Sequence, residues 1–432
     1  MMLLKAYGKI KFLRKTGKRR RCMKLTATMP SERIHELDMI RGIALFGILM
    51  ANMIAFKTLA FTDASSMLEG KALSENRLDA NVQLFISFFV DGKFYPMFSL
   101  LFGLGFFIFY TRVLAKNMAA TRVFYRRIVF LLVVGLVHLL LLWSGDILYT
   151  YALTALLLPL FFHRKQKTLI TWTIALMLVS AVTMTCYMLF LGVSMEFGLR
   201  EGLMTMEDIA GDTASALATM ANGTYLQIVE YRFFNESFFQ LFTVIFVIPG
   251  ILPLFLIGLS MGKAGMFHDV KANVTRWKRL CWIGFLAGLP LTLLEVSIRY
   301  NLIDINPVFT QGLAEGIRML AGPLQMLFYV SAFVLLLQKG TVARLVMPIA
   351  SAGRMALTNY LLQTIVATTI FYGYGFGLFG SVSSSQGLLI AIVIYATQVI
   401  LSHLYLKKWK QGPLEALWRK WTYSGGAAKR TA

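Results

Sequence analysis

The chain has 432 residues, 57% of them hydrophobic and only 15% charged, with a mean hydropathy of +0.65. A soluble protein of this length needs far more surface charge, so a water-soluble globular class is excluded. The net charge of +22, from 43 basic against 21 acidic residues, would point to nucleic acid in a soluble chain; in an apolar one it reads as positive charge kept on the cytoplasmic side, and no nucleic-acid partner is expected.

Apolar runs of about 18–25 residues recur along the whole chain, each long enough to cross a bilayer as a helix. The short alternating segments of an outer-membrane barrel are absent. The expected class is therefore an all-α polytopic membrane protein, a bundle of about ten transmembrane helices with both termini cytoplasmic.

Residues 1–33 hold eleven Lys and Arg against one acid, Glu32, densest at Lys18-Arg19-Arg20-Arg21. The stretch lacks the apolar core of a secretory signal. It reads as a disordered cytoplasmic arm lying on anionic lipid headgroups, which the basic inner loops are expected to meet as well. The membrane domain is expected over 34–406 and a basic cytoplasmic tail over 407–432.

Helix one is expected over Asp38–Phe56. Asp38 and Arg41 sit three residues apart, hence on one helix face, at the mouth of this apolar run, with Asn52 deeper on the same helix. Ionisable groups at a bilayer boundary are costly to hold. The pair is either a functional site or a charged helix start anchored at the headgroups. The next loop, to Asn81, reads as outer. An interfacial or re-entrant piece is expected to Asp91 and helix two from Phe94, with Gly103 and Gly105 allowing close helix approach. Asp91 and Lys93 are read as a local ion pair. The stretch 111–127 has five basic residues and no acid, and is placed inside.

Helices three and four are expected over Ile128–Ser144 and Asp146–Phe162, and helix five over Thr168–Gly192. The outer segment, 193–240, has seven acids and two arginines. Helix six is expected over Leu241–Gly262, helix seven over Leu280–Ile298, helix eight over Leu313–Leu337, helix nine over Met347–Tyr372 and helix ten over Leu388–Leu406. The proposed inner segments hold 33 of the 43 basic residues, a bias that a shift by one helix would reverse.

Polar residues inside apolar runs carry the functional signal. At 1.5 Å of rise per residue, His138 lies roughly 15 Å from the cytoplasmic end of its helix, Asn52 roughly 20 Å and Asn359 roughly 18 Å. They would meet near the midplane if their helices are neighbours. Arg41 and Arg354 come out at about 5–10 Å, giving a polar centre and a cationic inner mouth. His138 can give or take a proton near neutral pH, or it bonds a facing helix for packing. Asp146 either lines an outer vestibule or closes a tight polar turn. Glu295 with Arg299, and Glu315 with Arg318, read as helix-face pairs. His403 reads as interfacial. The three cysteines make no metal or redox spacing, so no disulfide and no metal site are expected.

Six stretches together resemble one family: LDMIRGIALFGILMANM at 37–53, DGKFYPMFSLLFGLGFFIF at 91–109, HLLLLWSGDILYTYAL at 138–153, IGLSMGKAGMF at 257–267, AGRMALTNYLLQTIVATTIFYGYGFGLFG at 352–380 and GPLEALWRKWTYSG at 412–425. The match, over about 34–425, is to the YeiB family of bacterial inner-membrane proteins. The opening LDxxRGxA also resembles two groups of membrane acyltransferases, the heparan-α-glucosaminide N-acetyltransferase type and a group modifying bacterial surface glycans. Those relatives move an acyl group from cytosolic acyl-CoA to an acceptor across the membrane. The glycan-modifying group ends this motif in histidine; here, as in the heparan type, the position is Asn52. The resemblance leaves the acyl-accepting or general-base role to His138.

The expected function is thus a membrane acyltransferase of the bacterial cytoplasmic membrane. Acyl-CoA would set its phosphates on Arg41 and Arg354, with Asp38 beside them. Its thioester would reach His138, with Asn52 and Asn359 holding substrate or oxyanion, and the acceptor would enter past Asp146. The alternatives are a transporter without covalent chemistry and a non-catalytic membrane partner. A homodimer is compatible with the sequence, but no feature demands one.

Overall fold

The computed structural model describes residues 35–60 and 72–424. The basic arm at 1–33, Cys22, the middle of the first outer loop and the end of the tail lie outside these residues. The described residues contain α-helices, two π-helical turns and no strand. In chain order the helices are α1 (His35–Lys57), α2 (Arg77–Phe89), α3 (Phe94–Ala115) and α4 (Ala120–Val137), which runs into a π-helical turn (His138–Leu142). Then come α5 (Leu148–Ala155), α6 (Leu158–Phe162), α7 (Gln166–Arg200), α8 (Met206–Asn222) and α9 (Tyr225–Arg232), followed by the second π-helical turn (Phe233–Ser237). The last are α10 (Phe238–Lys263), α11 (Val274–Arg299), α12 (Pro307–Leu337), α13 (Gly340–Arg354), α14 (Ala356–Phe371), α15 (Ser384–Lys408) and α16 (Pro413–Tyr423).

Eight helical stretches among the described residues are long and apolar enough to cross a membrane. They coincide with eight of the ten expected spans. The other two are helical but interrupted. Asp146–Phe162 divides into α5 and α6, with a turn at Leu156-Leu157 and Pro159 opening α6. Met347–Tyr372 breaks at Met355, whose ψ of 33° leaves the helical range. The short, apolar α14 starts there. Irregular backbone at membrane depth is tolerated only where other groups satisfy it, and the break at Met355 belongs to the site below.

Lipid is as apolar as leucine, so close backbone packing has to do much of the work between spans. Glycines mark those crossings. A side chain at Gly103 would overlap the Phe255 carbonyl, and one at Gly258 the Leu100 carbonyl, which locks α3 against α10. Gly105 is different, since only the Arg41 guanidinium lies near it. Gly284 and Gly288 bring α11 onto α12, and Gly312 and Gly316 bring α12 onto α7. The core runs through α1, α3, α5 and α10, with Leu45, Leu100, Ala152 and Phe255 fully buried. Cys186 is exposed, Cys281 is half-buried, and both are free.

Candidate functional site

The site begins where α4 changes winding. The Trp143 N–H donates to the His138 carbonyl at 2.8 Å, a bond five residues back that defines the π turn. A helix end in an apolar setting must find partners for its last carbonyls. Here α9 and the π-helical turn after it supply them. Arg232, buried at 1% exposure, donates to the carbonyls of Leu142 at 2.8 Å and Leu139 at 3.2 Å. Ser237 also donates to the Leu139 carbonyl, and the Tyr225 hydroxyl donates to that of Leu141. Glu236 pairs with Arg232 at 3.7 Å and accepts a hydrogen bond from Ser144. The acidic segment 193–240 thus closes over the turn that carries His138.

His138 is fully buried and bonded through both ring nitrogens. Its Nδ1 lies 2.7 Å from Asp146 Oδ1, and its Nε2 lies 2.8 Å from the Thr364 hydroxyl of α14. Asp146 reaches back because Gly135 lets the start of α5 press on α4; a side chain there would overlap the Tyr149 backbone nitrogen. The second carboxylate oxygen accepts the Tyr149 N–H at 2.6 Å. A carboxylate only accepts, so Nδ1 carries the proton. In the neutral ring Nε2 then presents a lone pair, to which the Thr364 hydroxyl can donate. A base held by an acid on one side and facing a hydroxyl on the other is the arrangement that activates a nucleophile. The Tyr360 ring lies 5.2 Å from the imidazole, and the Tyr360 hydroxyl accepts the Ile147 N–H at 3.4 Å.

Helix α14 brings a buried polar stripe to the same region. Asn359 donates to the Ala352 carbonyl at 3.1 Å and to Ser402 of α15 at 2.9 Å. Gln363 donates to Gln398, which donates to the Asn359 carbonyl, both at 3.0 Å. The buried N-terminus of α14 is capped by a distant helix. Glu415 of α16 accepts from the backbone nitrogens of Leu357 at 2.8 Å and Thr358 at 3.1 Å, and from the Thr358 hydroxyl at 2.6 Å. The same helix holds α4, since the indole nitrogens of Trp418 and Trp421 donate to the carbonyls of Arg127 and Arg126. The Arg127 guanidinium lies 3.7 Å from the centroid of the Trp418 ring. Helix α16 therefore touches both helices that meet at His138.

The LDMIRG and AGR stretches pack on each other. A side chain at Gly353 would overlap the Asp38 carbonyl, and one at Gly42 the Ile349 carbonyl. Arg41 pairs with Asp38 at 2.9 Å and keeps 30% side-chain exposure, while Arg354 donates to the Lys410 carbonyl at 3.0 Å. Asp38 and Arg41 therefore share one corner with Arg354. Asn52 is half-buried on α1 and makes no hydrogen bond to His138 or Asn359 among the described residues. The structure thus joins His138 to Asp146 directly. Asn359 lies on the same helix as Thr364 but bonds elsewhere.

A second charged cluster, partly buried, lies apart. Asp91 does not simply pair with its neighbour Lys93, because Arg318 holds it at 3.0 Å. Arg318 also pairs with Glu315, and Glu315 lies 3.1 Å from Arg299, which bonds Glu295 at 2.6 Å. The helix-face pairs read from spacing are present and are linked across helices. Lys93 is fully buried and donates to the Ser87 carbonyl at 2.6 Å. Among the described residues no three His, Cys, Asp or Glu side chains are placed to hold a metal ion.

Thr364, Tyr360, Glu415, Arg232 and Glu236 escaped the sequence reading. The first two had a signal: Tyr360 and Thr364 are four apart beside Asn359 in an apolar run, so they share a helix face. Glu415 is the only acid in a basic tail, which was a weaker one.

Residues 261–425 match a family described as a protein of unknown function, DUF418. The chain is 31% identical over 415 residues to the uncharacterized protein YxaH of Bacillus subtilis (strain 168), covering 92% of this chain and 96% of that one. It is 31% identical over 407 residues to an uncharacterized 39.9 kDa protein in the amylase 3' region of Bacillus acidopullulyticus, covering 91% and 94%. Against the uncharacterized protein YeiB of Escherichia coli (strain K12) the identity is 27% over 417 residues, covering 93% of this chain and all of the other.

Proposed function

We propose that this chain, which belongs to the YeiB-like family, is a membrane acyltransferase in which His138 is the general base and Asp146 orients it. The observation that carries the reading is the buried relay from Asp146 through His138 to Thr364, with both hydrogen bonds below 3 Å. An acceptor hydroxyl or amine displaces Thr364 from Nε2. Its oxygen or nitrogen attacks the thioester carbonyl as Nε2 takes its proton. The carbon–sulfur bond then breaks, and the departing thiolate recovers the proton from His138. A general base of this kind contributes on the order of 10²–10⁴-fold. Acyl-CoA is the donor of the proposal, with its phosphates at the Arg41 and Arg354 corner. Asn52 is the proposed oxyanion donor, because Asn359 already spends its N–H groups on Ala352 and Ser402. The acceptor is a sugar, glycolipid or small amine or alcohol arriving past Asp146, and the setting is the bacterial cytoplasmic membrane.

The test is acyl-CoA binding and turnover by purified protein in lipid, following free CoA with and without a cell-envelope extract. Binding lost in Arg41→Ala and CoA release lost in His138→Ala are the expected results. Normal CoA release by His138→Ala sinks the assignment. A transporter is the second reading, favoured by the cluster in which buried Lys93, Glu295 and Arg299 meet half-buried Asp91, Glu315 and Arg318, since buried charges in a membrane bundle often line ion paths. Solute flux in proteoliposomes without any acyl-CoA binding selects it.

A further inference from the structure

A groove of about 600 Å³ opens between the start of α4 and helix α16. Arg122 and Arg126 line its polar side, and Tyr125, Val129 and Trp421 its apolar side. Arg122 is exposed and makes no ion pair among the described residues. Arg126 spends one nitrogen on the Trp421 carbonyl at 2.9 Å and on Ser424, while its Nε meets no acceptor among those residues. Residues 111–127 carry five basic side chains and no acid, and Glu415, the one acid of α16, is occupied by α14. The groove is therefore cationic, and the charge bias puts it at the inner membrane boundary.

Above the arginines, Tyr125, Val129, Val133 and Val137 recur every four residues and are 36%, 43%, 55% and 49% exposed. Twelve residues of helix rise through roughly 18 Å. One leaflet is about half of the ~30 Å hydrocarbon core. An apolar track about one acyl chain long thus starts at two arginines, one of which has an N–H without a protein acceptor.

We propose that the groove is a binding site for an anionic phospholipid of the inner leaflet. Its phosphate bridges Arg122 and Arg126, and one acyl chain lies along Tyr125, Val129, Val133 and Val137. The apolar track argues for a lipid over a dissolved phosphate, because a water-borne anion has no use for it. The site is independent of the acyltransferase reading. It does, however, sit against Trp421, on the helix whose Glu415 caps α14.

The experiment is native mass spectrometry of the purified full chain, titrated with phosphatidylglycerol or with phosphatidylcholine of the same acyl chains. Wild type is expected to retain phosphatidylglycerol preferentially. Arg122→Gln with Arg126→Gln should weaken that retention roughly tenfold or more, as two boundary arginines each contribute. Val129→Trp, which fills the groove and leaves the charge alone, should weaken it too. Lys339→Gln with Arg344→Gln, an exposed basic pair elsewhere, should not. Because Arg126 also holds α16, Arg122→Gln alone and Val129→Trp decide the matter if the double variant unfolds. Unchanged retention in those variants overturns the proposal, and so does an equal loss in the Lys339/Arg344 control. Displacement of the lipid by glycerol phosphate at lower concentration than phosphatidylglycerol itself overturns the lipid assignment in favour of a soluble phosphate, and displacement by palmitoyl-CoA under the same condition overturns it in favour of an acyl-CoA site.

Discussion

Asp146→Asn is the perturbation that most directly tests the relay. The two carboxylate oxygens do separate jobs, one on His138 at 2.7 Å and the other on the Tyr149 N–H at 2.6 Å. Asparagine keeps the shape but has one acceptor and one donor end. The Tyr149 N–H is a fixed donor, so the amide oxygen turns to it. The NH2 then faces Nδ1, which must become an acceptor. The imidazole proton moves to Nε2, and the lone pair that should take the substrate proton is gone. The stability loss is modest, about 1.5–3 kcal/mol for a hydrogen bond to a charged group. The loss of a general base is larger, on the order of 10²–10⁴-fold in turnover, or about 2.7–5.4 kcal/mol of transition-state stabilisation. CoA release by the purified variant in lipid nanodiscs measures the second, and thermal unfolding the first. Nitrogen-15 NMR of labelled histidine reads the tautomer without requiring any activity, with His138 assigned by its absence in His138→Gln. A folded Asp146→Asn protein whose His138 keeps its proton on Nδ1 refutes the reasoning at its first step. One that switches tautomer but turns over normally refutes the catalytic role.

Thr364→Val removes the hydroxyl that donates to Nε2 and keeps the volume; turnover should stay within about tenfold if substrate replaces Thr364, and a loss of 10²-fold or more would make Thr364 an acyl-accepting group instead. Glu415→Ala orphans three donors at the start of α14 and should cost about 1–3 kcal/mol in unfolding measurements, with Glu415→Gln recovering much of it; equal stability of the Ala variant would show that α16 does not hold α14. Gly353→Val drives a side chain into the Asp38 carbonyl, so α1 and α13 must separate, and the yield of folded protein after detergent extraction should fall sharply; a normal yield would mean that the α1–α13 contact yields easily. At the start of α8, hydrogen bonds from the Thr205 hydroxyl and backbone N–H hold the Asp208 carboxylate below its ordinary value of 3.8. A lowered carboxylate stabilises above its unfolded value and loses that contribution as pH falls through the folded one. Hydrogen exchange at the Asp208 amide should therefore show protection at neutral pH that is lost below pH 3.8, while Asp208→Asn shows no such step.

Hydropathy is a local property, and a span needs only about 20 consecutive apolar residues. That is why composition and apolar runs alone located the helical membrane class and eight helices long and apolar enough to cross a membrane. Ion pairs three or four residues apart were legible for the same reason: Asp38–Arg41 and Glu295–Arg299 follow from helix pitch. The two interrupted stretches were not. A break such as that at Met355 stands only if something satisfies the freed backbone, and here that something is Glu415, which lies 58 positions from Leu357. The sequence marked His138 as a polar residue in an apolar run, and Asp146 as a separate feature eight positions on. Spacing could not pair them, because eight residues of regular helix followed by a loop have no fixed geometry. Only the π turn, the close crossing at Gly135 and the seal made by Arg232 turn the carboxylate back onto the ring. Thr364 joins from 226 positions away. Contacts of that range depend on how whole helices pack, and only the tertiary structure decides them.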